Sequence, residues 1–464
     1  MSYKEITSED ILYLQNILSV EQVLTGDDVH DDYSHDEMPE YGRFVPKVVV
    51  HAESAMEVSA VLRYASDQHI PVTPRGAGTG LCGGCVTIHG GILLSLAGMN
   101  RILEVNKDAM SVTVEPGVLL SQLAEHLQEH KLLYPPDPGE KTATIGGNCM
   151  TNAGGMRAVA FGVTRDYIKG IEVVLPSGEI IMLGGDTVKN SSGYSLLHLM
   201  IGSEGTLGVV TKLILKVVPL PEHFVSLFVP FDDIDQCARS VPHLLATSPA
   251  TLEYAEKEVL FEAERYLAKP FPHSTADAYL IVSFYGSTRE SMEPTLDKAA
   301  EICMAQGALD VFISDTTERQ EAMWSARGAF LEAIKSSTPA MDECDVVLRI
   351  DKVAPFIAFT KELAATYQIR IRSFGHAGDG NLHIYVCKDT LDDQTWEQTV
   401  TAIMDALYKK AAEMGGQVSG EHGIGHAKRK YLLKSLGSLQ IDLMRKIKTA
   451  FDPTGILNPG KILI

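Results

Sequence analysis

Pro74-Arg-Gly-Ala-Gly-Thr-Gly-Leu81 decides how this 464-residue chain is read. Three glycines alternate in it, and Gly78-Thr-Gly80-Leu-Cys-Gly83 matches G-x-G-x-x-G, with Glu104 further on. As a nicotinamide-binding Rossmann fingerprint, that motif requires a helix to start inside the loop, so that the pyrophosphate sits on its N-terminus. The next residues, Gly84-Cys-Val-Thr-Ile-His-Gly-Gly91, cannot begin a useful helix, and the Rossmann reading falls. A glycine loop binds phosphate without a helix when consecutive N–H groups, here those of Gly76–Gly80, converge in a nest. Upstream, Lys47–His51 and Ile70–Thr73 read as strands. They flank a helix that opens at the box Ser54-Ala-Met-Glu57 and buries Val58, Val61, Leu62 and Ala65 on one face.

Two more glycine segments lie downstream. Thr144-Ile-Gly-Gly-Asn148 and Thr151-Asn-Ala-Gly-Gly155 form one region, whose small residues admit a flat ring and a diphosphate beside Asn148 and Asn152. Ile201-Gly-Ser-Glu-Gly-Thr-Leu-Gly208 is the other, and it leads into the strand-like Leu207–Val218. Three phosphate-sized loops in one N-terminal region imply a single large dinucleotide.

Composition bounds the rest. Forty Lys and Arg against 60 Asp and Glu leave a net charge of −20, which disfavours nucleic acid and anionic lipid as partners. With 45% apolar residues the chain can bury a large core. No apolar run approaches the ~18 residues of a membrane span. The start, MSYKEITSEDIL, has no signal-peptide core, and seven cysteines make an odd number. A reducing, cytoplasmic location without structural disulfides is expected. Cys82-Gly-Gly-Cys85 has no second pair and reads as small residues in a loop.

Pro219-Leu-Pro221 marks a domain boundary. Beyond it helices (233–247, 289–306, 317–335, 352–367, 394–414, 428–450) alternate with strands (280–285, 346–350, 382–387). That order suits an antiparallel sheet with helices on one side. The helix over 317–335 is expected to open at the box Thr317-Glu-Arg-Gln320.

Phe374-Gly-His-Ala-Gly-Asp-Gly-Asn-Leu-His383 carries the second half's chemistry. His376 and His383 would face apart on an unbroken strand, and the glycines forbid a helix. A folded loop turns both imidazoles to one place. Ser419-Gly-Glu-His-Gly-Ile-Gly-His426 adds a carboxylate and two more imidazoles. Two His and one Glu make a common divalent site with open positions for substrate.

Together PRGAGTGL, TIGGN…TNAGG, IGSEGTLGVVT and Pro135-Pro-Asp-Pro138 resemble the FAD-binding domain of the vanillyl-alcohol oxidase/PCMH flavoproteins. Within that superfamily, nearly the whole chain, through Asn458-Pro-Gly-Lys461, resembles the D-2-hydroxyacid dehydrogenases. The resemblance implies an α+β protein: a two-part PCMH-type FAD-binding domain over 1–220, an α+β substrate (cap) domain with an antiparallel sheet over 221–414, and a C-terminal helical segment, 415–464, completing the site. It implies non-covalent FAD held by Pro74, Arg75, Gly76, Ala77, Gly78, Thr79, Gly80, Leu81, Pro138, Thr144, Ile145, Gly146, Gly147, Asn148, Asn152, Ala153, Gly154, Gly155, Gly205, Gly208, Val209 and Asn458. By the same carry-over His376, His383 and Glu421 ligate one divalent metal (Fe2+, Zn2+ or Mn2+), His422 is the base, and Asn381 and Arg327 contact substrate.

The reaction implied is oxidation of a small D-2-hydroxyacid, with hydride passing to flavin. Leu331 stands where the hydroxyglutarate enzymes carry a polar contact, and their lysine has no counterpart around Ala340–Glu343, so lactate or glycolate is favoured over a diacid. Arg349-Ile350 replaces a common Pro-Arg, which puts the role of Arg349 in doubt. The resemblance extends to the lactate dehydrogenase subunit that partners an electron-transferring flavoprotein. It implies electron passage to NAD with ferredoxin as co-donor (confurcation), and a homo-oligomer is compatible. Rival readings are a glycolate or D-2-hydroxyglutarate dehydrogenase with another acceptor, a peroxide-forming oxidase, a metal-dependent hydrolase on the histidine cluster, and a subunit without chemistry.

Overall fold

A computed structural model describes residues 3–271 and 274–463. The chain divides into two compact units: Met1–Ala153, Val163–Leu220 and Glu421–Ile464 form the first, Gly154–Gly162 and Pro221–Gly420 the second.

The first unit holds two sheets. Strands β1 (Val23–Thr25), β2 (Val48–His51), β3 (Val72–Arg75) and β4 (Ile92–Ser95) assemble in the order β1-β2-β4-β3. Strands β2 and β3 both pair parallel with β4. The helix Ala55–Gln68 makes the crossover between them, capped by Ser54 accepting from the Glu57 N–H. It buries Val58, Val61, Leu62 and Ala65 in a core shared with Val50, Ile92 and Leu94. The Glu57 carboxylate accepts from the Glu53 N–H, so only the Ser54 half of the expected box forms. No helix lies between β3 and β4. The second sheet uses β5 (Ile102–Asn106), β6 (Ser111–Val114), β8 (Ile168–Val174), β9 (Ile180–Gly184) and β10 (Val209–Lys216), antiparallel in the order β5-β6-β10-β8-β9. A short β7 (Leu132–Leu133) pairs with β11 (Val218–Pro219). The C-terminal stretch lies along β3: Val72 donates to the Ile456 carbonyl at 2.8 Å, and Asn458 donates to the Val72 carbonyl at 2.7 Å.

The second unit is one seven-stranded sheet of β12 (His223–Phe231), β13 (Thr251–Glu256), β14 (Ala278–Gly286), β15 (Phe312–Ser314), β16 (Met341–Val347), β17 (Arg370–His376) and β18 (Asn381–Cys387). Its order is β15-β12-β14-β13-β17-β18-β16, with every pair antiparallel. Helices cover both faces, not one. Glu253 and Tyr254 are consecutive on β13 and point to opposite faces. Arg327, from the helix Thr317–Gly328, meets Glu253, whereas Val353 and Ile357, from the helix Val353–Tyr367, line an apolar cavity with Tyr254. The strand sequences carry the reason: β13 and β18 are buried at every position, as strands wet on one face are not.

Two helices expected as single rods are broken. Residues 317–335 divide into Thr317–Gly328 and Phe330–Ser336. The cap is Thr316, one residue before the expected box, and the Gln320 side chain turns to Ser226 and the Phe224 carbonyl. Residues 428–450 divide into Arg429–Ser435 and Ser438–Phe451, interrupted where Gly437, a poor helix former, takes extended backbone as N-cap.

Candidate active site

In the first unit, Pro74 and Arg75 end β3 and Gly76–Leu81 form the loop beyond it. Gly78 has φ +84, in the left-handed region, and a Cβ there would fall 2.0 Å from Arg75 Nη2. Arg75 itself is buried and donates to the carbonyls of His35 and Asp32, which anchors the root of the loop. Among the described residues nothing accepts from the N–H groups of Gly76–Gly80, so these donors are open to an anion. Thr144 caps the short helix Ile145–Thr151, which carries Gly146, Gly147 and Asn148. Asn148 is 5% exposed, and its Nδ2 has no hydrogen-bond partner among the described residues. A buried donor of that kind calls for an acceptor. Asn152 is the left-handed C-cap, and its side chain is occupied by the Arg165 N–H. Ala153 ends that stretch; Gly154 and Gly155 belong to the second unit. Pro138 is buried, Gly205 and Gly208 precede β10, and Val209 begins it. Asn458 donates to the carbonyls of Gly84 and Glu204, joining the terminus to two of the glycine segments. The open N–H groups and the orphaned Asn148 donor fit a dinucleotide.

The second unit carries the histidines on a hairpin. Phe374 lies opposite His383 and His376 opposite Asn381. Directly opposed residues share a face, as do residues two apart on one strand. All four side chains therefore stand on one face, and the two imidazoles meet edge-on at 5.4 Å. His376 is thus a strand residue, not part of a folded-back loop. The turn between the strands depends on Gly380, at φ +84, where a Cβ would lie 2.0 Å from the Leu348 carbonyl oxygen.

Around the imidazoles the sheet supplies carboxylates that sequence reasoning missed. Glu253 is 1% exposed and receives His376 Nδ1 at 2.8 Å. Glu343 and Asp345 are fully buried on β16, and Asp345 pairs in register with His383. Tyr385 donates to Glu343 Oε1 at 2.8 Å, and burial beside that carboxylate pushes its phenol well up. Asn381 Nδ2 donates to Asp345 Oδ1 at 2.7 Å. Ser419 and the Gly420 N–H bond the other Asp345 oxygen, and Glu421 is the next residue in the chain. The signal available was acidic residues alternating in otherwise apolar strands, Glu253 in β13 and Glu343-Cys-Asp345 in β16. Arg327, on the inner face of its helix, is buried against Phe374 at 4.8 Å and donates Nε to Glu253 at 2.7 Å. Burial drives the Glu253 carboxyl up, but His376 and Arg327 outweigh it and hold it below its ordinary value. Arg349 is exposed and pairs with Asp351.

Residues 46–184 match the model of the FAD binding domain, and residues 220–462 match that of the FAD linked oxidases, C-terminal domain. The chain belongs to the FAD-linked oxidases. This FAD-dependent enzyme is 48% identical to a D-lactate dehydrogenase of Anaerostipes hadrus, over 99% of its own length and 98% of that protein. It is 39% identical to the glycolate oxidase subunit GlcD of Bacillus subtilis, over 93% and 91%. Substrate-bound p-cresol methylhydroxylase shares its fold, at TM-score 0.82 and 19% identity over 100% of this chain and 98% of that one. None of its helices among the described residues is long and apolar enough to cross a membrane.

Proposed function

We propose that this enzyme oxidises a small D-2-hydroxyacid, D-lactate foremost, to the 2-oxoacid, with FAD and one divalent metal as cofactors. The observation that carries the reading is the buried histidine face: two imidazoles and three carboxylates against one arginine. Such an anionic, imidazole-rich pocket suits a divalent cation. His376 and His383 would hold it, with Glu421 as third ligand. The relatives named D-lactate dehydrogenase and glycolate oxidase support the substrate class. In this reading residues 1–220 bind FAD, 221–414 present the substrate, and 415–464 supply Glu421 and His422.

When bound, the metal supplies Lewis-acid polarisation of the substrate hydroxyl, and FAD supplies a two-electron acceptor at flavin N5. His422 takes the hydroxyl proton, which leaves the Cα hydrogen to depart as hydride. Arg327 holds the substrate carboxylate through Nη1, since Nε and Nη2 both bond Glu253. Asn381, anchored by Asp345 through its amide nitrogen, offers its oxygen. Electrons then pass to an electron-transferring flavoprotein and on to NAD, with ferredoxin as co-donor.

Anaerobic flavin bleaching by a panel of D- and L-2-hydroxyacids, with and without chelator, tests this. D-lactate should bleach the flavin, and chelator should abolish bleaching without releasing FAD. His422→Ala should stay yellow yet bleach slower by roughly 10²–10⁴-fold. Bleaching indifferent to chelator would end the metal assignment, and normal bleaching in the variant would end that of the base.

A further inference from the structure

Glu253 lies 123 residues from His376 in sequence, on a different strand. Its two oxygens are shared unequally. An arginine–carboxylate pair usually closes as a fork over both oxygens. Here Arg327 Nε and Nη2 converge on Oε2, at 2.7 and 2.6 Å. His376 Nδ1 sits across both oxygens, 2.8 Å from Oε1 and 2.9 Å from Oε2. An ionised carboxylate only accepts, so a neutral His376 beside it carries its proton on Nδ1 and its lone pair on Nε2.

We propose that Glu253 is a positioning residue that holds His376 in the Nδ1–H tautomer, aims its Nε2 at a divalent cation, and through Oε2 also fixes the Arg327 guanidinium beside it. This deepens the proposed metal reading and rests on it. One buried carboxylate thereby couples the ion-binding imidazole to the cation offered to the substrate carboxylate. A partner that orients a ligating histidine contributes roughly 10–100-fold in metal affinity. A purely structural Glu253–Arg327 pair would leave that affinity untouched.

The test uses FAD-loaded full-length protein stripped of metal, with Zn2+ alone as probe, titrated against a chromophoric chelator. Glu253→Gln should retain FAD absorbance and weaken Zn2+ binding by roughly 10–100-fold. Its bleaching by D-lactate should recover toward wild type at excess Zn2+, while KM stays raised because Arg327 has lost its anchor. Unchanged Zn2+ affinity in the variant, with the wild type binding one ion, would overturn the role of Glu253 alone. Failure of the wild type to bind Zn2+ would overturn this role and the metal reading together. Should the variant not fold, nitrogen-15 histidine spectra of the unsubstituted apoprotein, assigned with His376→Gln, decide the matter. An Nδ1-protonated His376 is expected, and an Nε2-protonated one would overturn the proposal.

Discussion

Glu256 should make the second unit lose stability as pH rises from about 4.5 to about 7. Its carboxyl is 5% exposed on β13, on the face away from the histidines, and it accepts a hydrogen bond from the Ser373 N–H. Burial raises its pKa from 4.5 to about 7; the Glu258 charge adds to the rise, while the Ser373 bond and the charges of Lys361 and Arg372 oppose it. Between those two values the folded carboxyl keeps its proton while the unfolded one has lost it. Stability therefore falls across that window, is complete below it, and is flat above it. A rise of about 2.5 in pKa, at about 1.36 kcal/mol for each whole step, corresponds to about 3 kcal/mol. Glu256→Gln is neutral at every pH and its amide oxygen still accepts from Ser373. It should match the wild type near the lower end of the window and exceed it by about 3 kcal/mol at about pH 8. For a unit of roughly 200 residues that is a rise of about 6–12 °C in Tm. Both tryptophans, Trp324 and Trp396, lie in the second unit, so their fluorescence reports its unfolding directly. Parallel Tm-against-pH curves for the two proteins would refute the reasoning.

Two further outcomes rest on named contacts. Gly380→Ala meets both a positive φ and the Leu348 carbonyl, so it should cost about 1–3 kcal/mol and slow bleaching by D-lactate while FAD stays bound; Gly139→Ala, in open space, is the control, and equal bleaching rates would show that the hairpin geometry is not needed. Lys448 donates at 2.5–2.7 Å to the buried Asp452 and to the carbonyls of Thr206 and Leu457. Lys448→Met removes the counter-charge of that carboxylate, which keeps its bonds from Thr454, Ile456 and Leu457, and should cost about 3 kcal/mol in urea unfolding, with FAD lost earlier because the Leu457 carbonyl beside Asn458 loses its donor.

Local chemistry was legible from residues alone. Ser54 capped its helix where expected. Gly84–Gly91 ruled out a helix after β3, and none formed. What failed were boundaries and partners. Thr316, and not Thr317, became a cap because cap choice depends on where the chain turns, and either threonine serves chemically. Helices on both sheet faces were missed because burial on the second face depends on what packs there. Glu253 was missed because an acidic residue in an apolar strand marks burial but not its partners, which come from residues 327 and 376.

The glycine loops, the acidic composition and the histidine motif could be read in order along the chain, since each depends on neighbours in sequence. That His376 and His383 share a face depended on register. The four residues between His376 and Asn381 set the pairing, and a turn one residue longer would have turned His383 to the far side of the sheet. The charge around the imidazoles was likewise a tertiary outcome. Antiparallel pairing across β13, β17, β18 and β16 gathered three carboxylates from distant sequence into one dry face, where low dielectric makes each of them answer to a cation.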